Sequence, residues 1–212
     1  MKLLITGPPG CGKGTQTEML MKKLNIPAVS TGTMLRNAIK EGSGLGKKAQ
    51  EYINDGKLVP DDVIIAVVLE RLSQKDMEDG YILDGFPRTL AQAEAMTAAG
   101  IEADKVLFID VADEIIIQRL GGRRVCECGA SYHTEYKPPF KPGVCDACGS
   151  VLQIREDDKP ETIANRLNIY HEITAPVVEY FEQKGKLAAV SIMTEISVEE
   201  AMSLALKAVL EG

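Results

Sequence analysis

The chain lacks the features that would place it in two large classes of protein. Acidic residues outnumber basic ones by 31 to 24, and the net charge of −7 leaves no basic excess. A general nucleic-acid binder needs a basic face for the phosphate backbone, so the charge balance argues against that class. Apolar runs are short, and none approaches the roughly 18 residues needed to cross a bilayer. We therefore expect neither a nucleic-acid partner nor a membrane partner.

Targeting signals, repeats and low-complexity linkers are also lacking. Met1 and Lys2 lead directly into an apolar segment, so we expect no secretory signal. Of the five cysteines, four lie between residues 126 and 148, and in a cytosolic chain such a cluster favours a metal site over disulfides. We expect a cytoplasmic protein. Because no heptad pattern or obvious apolar patch suggests assembly, we also expect a monomer.

The most informative segment is a glycine-rich loop near the start of the chain. Residues 7–15 read GPPGCGKGT and directly follow an apolar run. This is the phosphate-loop (P-loop) pattern G-x-x-x-x-G-K, with a strand before it and a helix after it. The glycines let successive backbone N–H groups point at one anion, and Lys13 adds a positive charge. Gly14 and then Thr15 follow the lysine, which indicates a small kinase. A switch GTPase would also need an Asn-Lys-x-Asp motif, which this sequence lacks.

Alternating apolar segments and helical patterns predict the fold class. Five short segments read as strands, at residues 2–6, 27–29, 80–83, 105–109 and 187–190. Strands that alternate with helices indicate a parallel sheet covered on both faces, which is an α/β fold. Two stretches interrupt the alternation: a helical, glycine-containing one and a Pro-, Gly- and Cys-rich one. The predicted parts are a core (residues 1–29, 60–121 and 159–212), a helical insert (residues 30–59) and a small β-rich flap (residues 122–158).

A second candidate phosphate site follows the third predicted strand. That strand ends in Asp84, and the next four residues are Gly85, Phe86, Pro87 and Arg88. In P-loop enzymes an aspartate at this place helps to hold the Mg²⁺ that bridges phosphates. Ligands of open α/β sheets bind at the carboxyl ends of the strands, where a rigid turn and an arginine are expected here. A simple turn at the strand end is the alternative reading of Asp84 alone.

Taken together, these motifs resemble the adenylate kinase family in its long, lid-containing bacterial form. The matching segments run in order over residues 1 to about 180: Gly7–Thr15, Ser30–Arg36, Asp55–Val59, Asp84–Arg88 with Gln92, Gly122–Arg124, Tyr132 with His133, Arg155–Asp158, and Arg166. The resemblance implies the fold of a P-loop nucleoside monophosphate kinase with a five-stranded parallel sheet. It also implies transfer of the γ-phosphoryl group of MgATP to AMP, giving two ADP, with residues 30–59 as the AMP-binding insert and residues 122–158 as the lid.

The resemblance also implies roles for individual residues. For ATP, the implied contacts are Gly10, Cys11, Gly12, Lys13, Gly14, Thr15, Arg119, Arg123, Ser131, Tyr132 and Thr194. For AMP, they are Thr31, Arg36, Lys57, Leu58, Val59, Gly85, Phe86, Pro87, Arg88, Gln92, Arg155 and Arg166. The implied catalytic set is Lys13, Arg88, Arg123, Arg155 and Arg166, which neutralise and position the phosphates, together with Asp84, which helps to hold Mg²⁺. Asp157 and Asp158 are expected to orient Arg123 and Arg155, with a helix N-cap as the alternative for Asp158.

The choice of acceptor depends on one side chain. Gln92 offers both a donor and an acceptor, which suits the adenine edge. A UMP, CMP or GMP kinase is the alternative, and a zinc-ribbon protein with a nucleotide-switch core is the alternative from another class of protein.

The flap carries a metal-binding pattern. Cys126-x-Cys128 and Cys145-x-x-Cys148 approximate the four-cysteine spacing of structural Zn²⁺ sites. Zinc-lid members of the family usually have two residues between the first pair, whereas one is found here. This contraction makes His133 an alternative ligand to Cys126, although we favour the four cysteines. A flap this small buries little core, so a metal would stabilise it.

Overall fold

The computed structural model describes residues 1–211 and has a parallel sheet at its centre. The strands are β1 (Lys2–Thr6), β2 (Ala28–Ser30), β3 (Tyr81–Asp84), β4 (Lys105–Val111), β5 (Arg123–Val125), β6 (Ser131–His133) and β7 (Leu187–Ile192). Five of them form the sheet in the order β2-β3-β1-β4-β7, and all of its pairings are parallel. The predicted α/β fold is confirmed. The strand ends lie within two residues of the predicted ones.

Helices follow the strands and cover the sheet. They are α1 (Lys13–Leu24), α2 (Thr31–Lys40), α3 (Gly44–Asn54), α4 (Asp61–Leu72), α5 (Leu90–Ala98), α6 (Asp113–Gly122), α7 (Pro160–Ile169), α8 (Ala175–Gln183) and α9 (Val198–Glu211). A π-helical turn, Tyr170–Thr174, joins α7 to α8. Helix α5 begins where the Thr89 hydroxyl accepts a hydrogen bond from the Gln92 N–H at 3.1 Å, which satisfies one free N–H of the first turn.

Alternation along the strands divides the core into two layers. Leu3 and Ile5 of β1 pack on one face, against side chains of α1, α6, α7 and α9. Leu4 packs on the other face, against side chains of α4, α5 and α8. Successive side chains of a strand point to opposite faces, so a strand that is buried on both faces is apolar throughout. Each fully buried aliphatic side chain contributes about 1.5–3 kcal/mol relative to an exposed one.

The helical insert and the flap are small units attached to this core. In the insert, α2 and α3 approach so closely that a Cβ at Gly46 would lie 2.0 Å from the Ala38 carbonyl oxygen. In the flap, β5 and β6 form an antiparallel hairpin. The buried core of the flap consists of Cys126, Tyr132, Cys145 and Leu152. Within residues 1–211, no helix has the length and apolar character that a bilayer crossing requires.

The register of the strands brings three loops to one edge of the sheet. Ile5 pairs with Asp84, and Asp84 pairs with Ser30 on its other side. The loops that follow β1, β2 and β3 therefore leave the sheet at the same level. Strand β1 lies at the point where the strand order reverses, which is where open α/β sheets bind ligands.

Candidate active site

The P-loop connects β1 to α1 and is shaped by its glycines. A Cβ at Gly7 would lie 2.4 Å from the Ile109 carbonyl oxygen, so the loop can lie against β4 only without a side chain there. Gly12 caps α1 with a φ of 100°, a value that favours glycine. The Lys13 ammonium donates to the carbonyl oxygens of Gly7 and Pro8, both at 2.8 Å. A cation and the N-terminus of α1 therefore face the same loop, which is a site for an anion.

A second loop, after β3, is held by Gly85. The Thr31 hydroxyl donates to the Gly85 carbonyl oxygen at 2.9 Å, and Arg88 Nε donates to the same oxygen at 2.8 Å. Gly85 has a φ of 76°, and a Cβ there would lie 2.6 Å from Arg88 Nη2. The absence of a side chain at Gly85 thus lets the Arg88 guanidinium fold over the loop, next to the start of α2.

Three arginines form salt bridges with two buried carboxylates. Arg123 binds Asp158 through Nε at 2.7 Å and Nη2 at 2.5 Å, and the Asp158 side chain is 0% exposed. Arg155 makes the same bidentate contact with Asp157. Arg166 contacts Asp158 at 3.1 Å and Asp157 at 3.2 Å. The two aspartates therefore position three guanidinium groups, and the helix N-cap is Lys159 rather than Asp158.

Two further arginines belong to the same cluster but have no carboxylate. Across the described chain, no carboxylate lies within 4.0 Å of the guanidinium of Arg36 or Arg88. Burial, followed by the charges of Arg155, Arg123 and Arg88, lowers the pKa of Arg36 to about 10. Burial is also the main cause of a lowered pKa at Arg88. A guanidinium group stays protonated in proteins, so the cluster has positive charge that an anion would compensate.

The Asp157 carboxylate makes folding stability dependent on pH. Burial alone would raise the pKa of Asp157, but the charges of Arg155 and Arg166 outweigh it and hold that pKa below its usual value. A lowered carboxyl pKa stabilises the folded state above the unfolded pKa of about 3.9, and this stabilisation is lost as the pH falls through the folded value. We expect Asp157→Asn to lower the free energy of unfolding at neutral pH. The difference from wild type should shrink below about pH 4.

Urea unfolding at a series of pH values would measure this difference. Glu156→Gln is the matched control, because Glu156 is 64% exposed and its ion pair is with Lys159, which is 53% exposed. Exposed pairs of this kind contribute at most about 1 kcal/mol. A destabilisation by Asp157→Asn that stays constant down to pH 3 would contradict the expected linkage.

Gln92 lies at the centre of a hydrogen-bond network. Its Oε1 accepts from the Arg88 backbone N–H at 2.7 Å, and its Nε2 donates to Asp61 Oδ1 at 2.7 Å. The Thr89 hydroxyl donates to the other Asp61 oxygen at 2.9 Å. Gln92 is 2% exposed. The side chain is therefore held rigidly beside Arg88.

The other residues expected to contact nucleotides are placed as follows. Arg119 pairs with Glu195 at 2.8 Å, next to the exposed Thr194. Lys57 is exposed and pairs with Asp55 at 2.9 Å, whereas Val59 is buried. Leu58 is half-buried and Ser131 is exposed. Phe86 and Pro87 are buried. The Tyr132 hydroxyl accepts from the Asp146 N–H at 2.9 Å inside the flap.

The four flap cysteines converge on one point. Their Sγ atoms all lie within 4.8 Å of one another, and the contacts Cys126–Cys148 and Cys128–Cys145 measure 3.4 and 3.6 Å. Four sulfurs around a tetrahedral Zn²⁺ with bonds of about 2.3 Å would be about 3.8 Å apart. The hydrogen bond from Tyr132 lowers the pKa of Cys145, whereas burial and hydrogen bonds with the other thiols raise the pKa of Cys126, so Cys145 deprotonates first. Thiolates are the form of cysteine that binds metals. This donor set fits Zn²⁺.

His133 lies away from these sulfurs. In the β5–β6 hairpin it pairs with Arg123, at the end opposite the turn that carries Cys126 and Cys128. Its Nδ1 accepts from the backbone N–H groups of Glu135 and Tyr136 at 3.1 and 3.0 Å. The sequence leaves two possible ligand sets, with either Cys126 or His133 as the fourth ligand. The structure brings the four cysteines together and places His133 elsewhere.

Sequence reasoning missed three residues that hold the site. Glu195 pairs with Arg119. Asp61 accepts hydrogen bonds from the Gln92 side chain and from the Thr89 hydroxyl. Asp61 follows a proline and reads as the start of a helix, and Thr89 reads as an N-cap. Neither pattern indicates which distant side chain the residue will contact.

A P-loop at the switch point of a parallel sheet, beside a cluster of arginines, defines the class of nucleotide kinases. The family model described as "Adenylate kinase" matches residues 5–186. An adenylate kinase of Caldicellulosiruptor bescii is 50% identical over 202 residues, which is 93% of this chain and 94% of the relative. An adenylate kinase of Desulforamulus reducens is 52% identical, over 93% of this chain and 95% of the relative. The chain belongs to the adenylate kinase family.

Proposed function

We propose how this chain carries out ATP:AMP phosphotransfer, the reaction of its family, which gives two ADP. P-loop residues 10–15, which include Lys13, hold the phosphates of ATP. Arg36 and Arg88 hold the phosphate of AMP. Arg123, Arg155 and Arg166 surround the group in transfer. Phosphoryl transfer needs positioning and charge neutralisation more than covalent help, and a cluster of guanidinium groups supplies both.

The observation that carries this proposal is the pattern of paired and unpaired arginines. Asp157 and Asp158 hold Arg123, Arg155 and Arg166 in place, whereas Arg36 and Arg88 lie in the same cluster without a carboxylate partner among residues 1–211. Arginine binds phosphate through two parallel hydrogen bonds, and a dianionic monophosphate would compensate the excess charge.

The donors near the P-loop fit a Mg²⁺ ion that arrives with ATP. Asp84 ends β3 opposite Ile5, two residues before the P-loop begins, and Thr15 lies in the first turn of α1. Carboxylate and hydroxyl oxygens are the ligands that Mg²⁺ takes in P-loop enzymes. When bound, the ion neutralises charge on the transferred phosphates.

The remaining assignments follow the division of the chain. Residues 30–59 form the AMP-binding insert, residues 122–158 the zinc-stabilised lid, and the rest the core. Ser131, Tyr132, Arg119 and Thr194 lie on the ATP side, and Thr31, Gln92 and residues 57–59 and 85–88 on the AMP side. None of the five cysteines forms a disulfide, which suits a reducing cytoplasm. We propose a cytoplasmic monomer.

A comparison of acceptors tests the function. ADP formation from MgATP would be measured with AMP, CMP, UMP and GMP in turn, under otherwise identical conditions. We expect AMP to have the highest kcat/KM by at least about 100-fold, because discrimination against a wrong base leaves buried polar groups unpaired. Preference for another monophosphate would overturn the assignment of the acceptor.

A further inference from the structure

The network around Gln92 determines which way its carboxamide points. The Arg88 backbone N–H is a donor and requires the carbonyl Oε1 beside it, at 2.7 Å. The Asp61 carboxylate offers only acceptors and requires the Nε2 amide, also at 2.7 Å. In the reversed orientation, two donors would face each other at Arg88 and two acceptors at Asp61. Both mismatches would be in a side chain that is 2% exposed. Each would disfavour that orientation by roughly tenfold or more.

We propose that Asp61 is a positioning residue that sets the carboxamide of Gln92 for adenine and against bases with a carbonyl at position 6. This inference rests on the proposed role of Gln92 in AMP recognition. A carboxamide has two donor hydrogens and two acceptor lone pairs. Asp61 and Arg88 occupy one of each, and one of each remains for a base.

In the observed orientation, the remaining donor and acceptor of the Gln92 carboxamide match adenine. The 6-amino group of adenine donates to Oε1, and N1 accepts from Nε2. Hypoxanthine and guanine present the opposite pattern, because O6 is an acceptor and N1 carries a hydrogen. Such a base would need the reversed carboxamide, which the partners of Gln92 disfavour.

Asp61 itself is held in place from a third direction. Its second oxygen accepts the Thr89 hydroxyl at 2.9 Å, and the same Thr89 oxygen accepts the Gln92 backbone N–H at 3.1 Å. Asp61 begins α4, directly after the insert, whereas Gln92 lies in α5. The network therefore connects the end of the AMP-binding insert to the residue that faces the base.

The test compares AMP with IMP as acceptors, because the two bases differ at position 6 and in the hydrogen on N1. In Asp61→Asn, the new amide can donate to a reversed Gln92 carbonyl. We expect the ratio of kcat/KM for AMP to that for IMP to fall about tenfold in this variant. Asp62→Asn is the matched control, because Asp62 is the exposed neighbour on the same helix. We expect it to keep the wild-type ratio.

The outcomes separate this inference from the proposed function. If Gln92→Leu keeps the wild-type ratio, Gln92 does not read the base, and both the proposed role of Gln92 in AMP recognition and this inference are overturned. If Gln92→Leu loses the ratio but Asp61→Asn keeps it, only the role of Asp61 is overturned. An equal loss of activity with AMP and IMP in Asp61→Asn would also overturn it, since a purely structural role would have that effect.

A measurement on the wild-type protein covers the case in which Asp61→Asn does not fold. In the NMR spectrum of the free enzyme, one of the two Gln92 Nε2 hydrogens should exchange slowly with solvent, because Asp61 accepts it. If both hydrogens exchange at the rate of an exposed glutamine, the proposal is overturned.

Discussion

Arg123→Lys should lower kcat for ADP formation by about 10²–10³-fold, the loss typical when one preorganised donor to a transition-state oxyanion is removed. Arg123 uses Nε and Nη2 on Asp158, at 2.7 and 2.5 Å, and still has Nη1 for a phosphate. A lysine has a single ammonium on a flexible stem and cannot serve both partners in a defined geometry. Lysine keeps the positive charge beside the fully buried Asp158, so the fold is not left with an unpaired carboxylate.

The adjacent arginine provides the matched control. Arg124 donates to the carbonyl oxygens of Gly121 and Arg123, at 3.1 and 2.7 Å, and it is not among the phosphate-binding residues proposed above. Arg124→Lys should change kcat by no more than about threefold. Steady-state kinetics with both nucleotides varied would separate kcat from KM. Equal losses in the two variants, or a kcat above a tenth of wild type in Arg123→Lys, would be incompatible with the assigned role.

Removal of the lid metal should unfold the lid while the core stays folded. The lid has four buried apolar core residues, and two of them, Cys126 and Cys145, belong to the proposed metal site. Structural zinc sites contribute on the order of 10 kcal/mol of binding free energy to small domains. Without the metal, the remaining apolar burial is too small to order residues 122–158 against their conformational entropy. An unfolded lid cannot keep Arg123 and the transferred group away from water, so activity should fall at least about tenfold.

Three measurements would check this expectation. Elemental analysis should find one zinc per chain in the wild type and none in Cys145→Ser. Hydrogen exchange should show that lid amides such as those of Val125 and Leu152 lose protection in Cys145→Ser, whereas amides of β1 and β4 keep it. Cys11→Ser is the control for metal content, because Cys11 lies outside the flap, and it should retain one zinc. Full protection of the lid in a zinc-free variant would show that the metal is dispensable.

Much of the site could be predicted because its signals are local. The P-loop needs glycines and a lysine at a set spacing, and these occur within nine consecutive residues. The strands could be located to within two residues, since continuous apolar runs report burial on both faces. The choice between Cys126 and His133 could not be made in the same way. It depends on the register of a hairpin, and the sequence pattern leaves that register open.

Contacts between distant segments lay beyond what the residue pattern could indicate. Asp61 and Gln92 are 31 positions apart, and Arg123 and Asp158 are 35 apart. Each pair meets because helices and loops leave the same edge of one sheet. The order β2-β3-β1-β4-β7 is what brings those loops together, and strand order is a property of the packed whole rather than of any window of sequence.

The amino-acid sequence by itself thus determined the fold class, the P-loop, the family resemblance and the set of arginines, since these are carried by local spacing and residue chemistry. Only the tertiary structure decided which arginines have carboxylate partners, which thiols meet, and how the carboxamide of Gln92 is oriented. Those properties depend on distances of about 3 Å between residues far apart in the chain. Such distances are set when apolar faces pack and the strands take up their register.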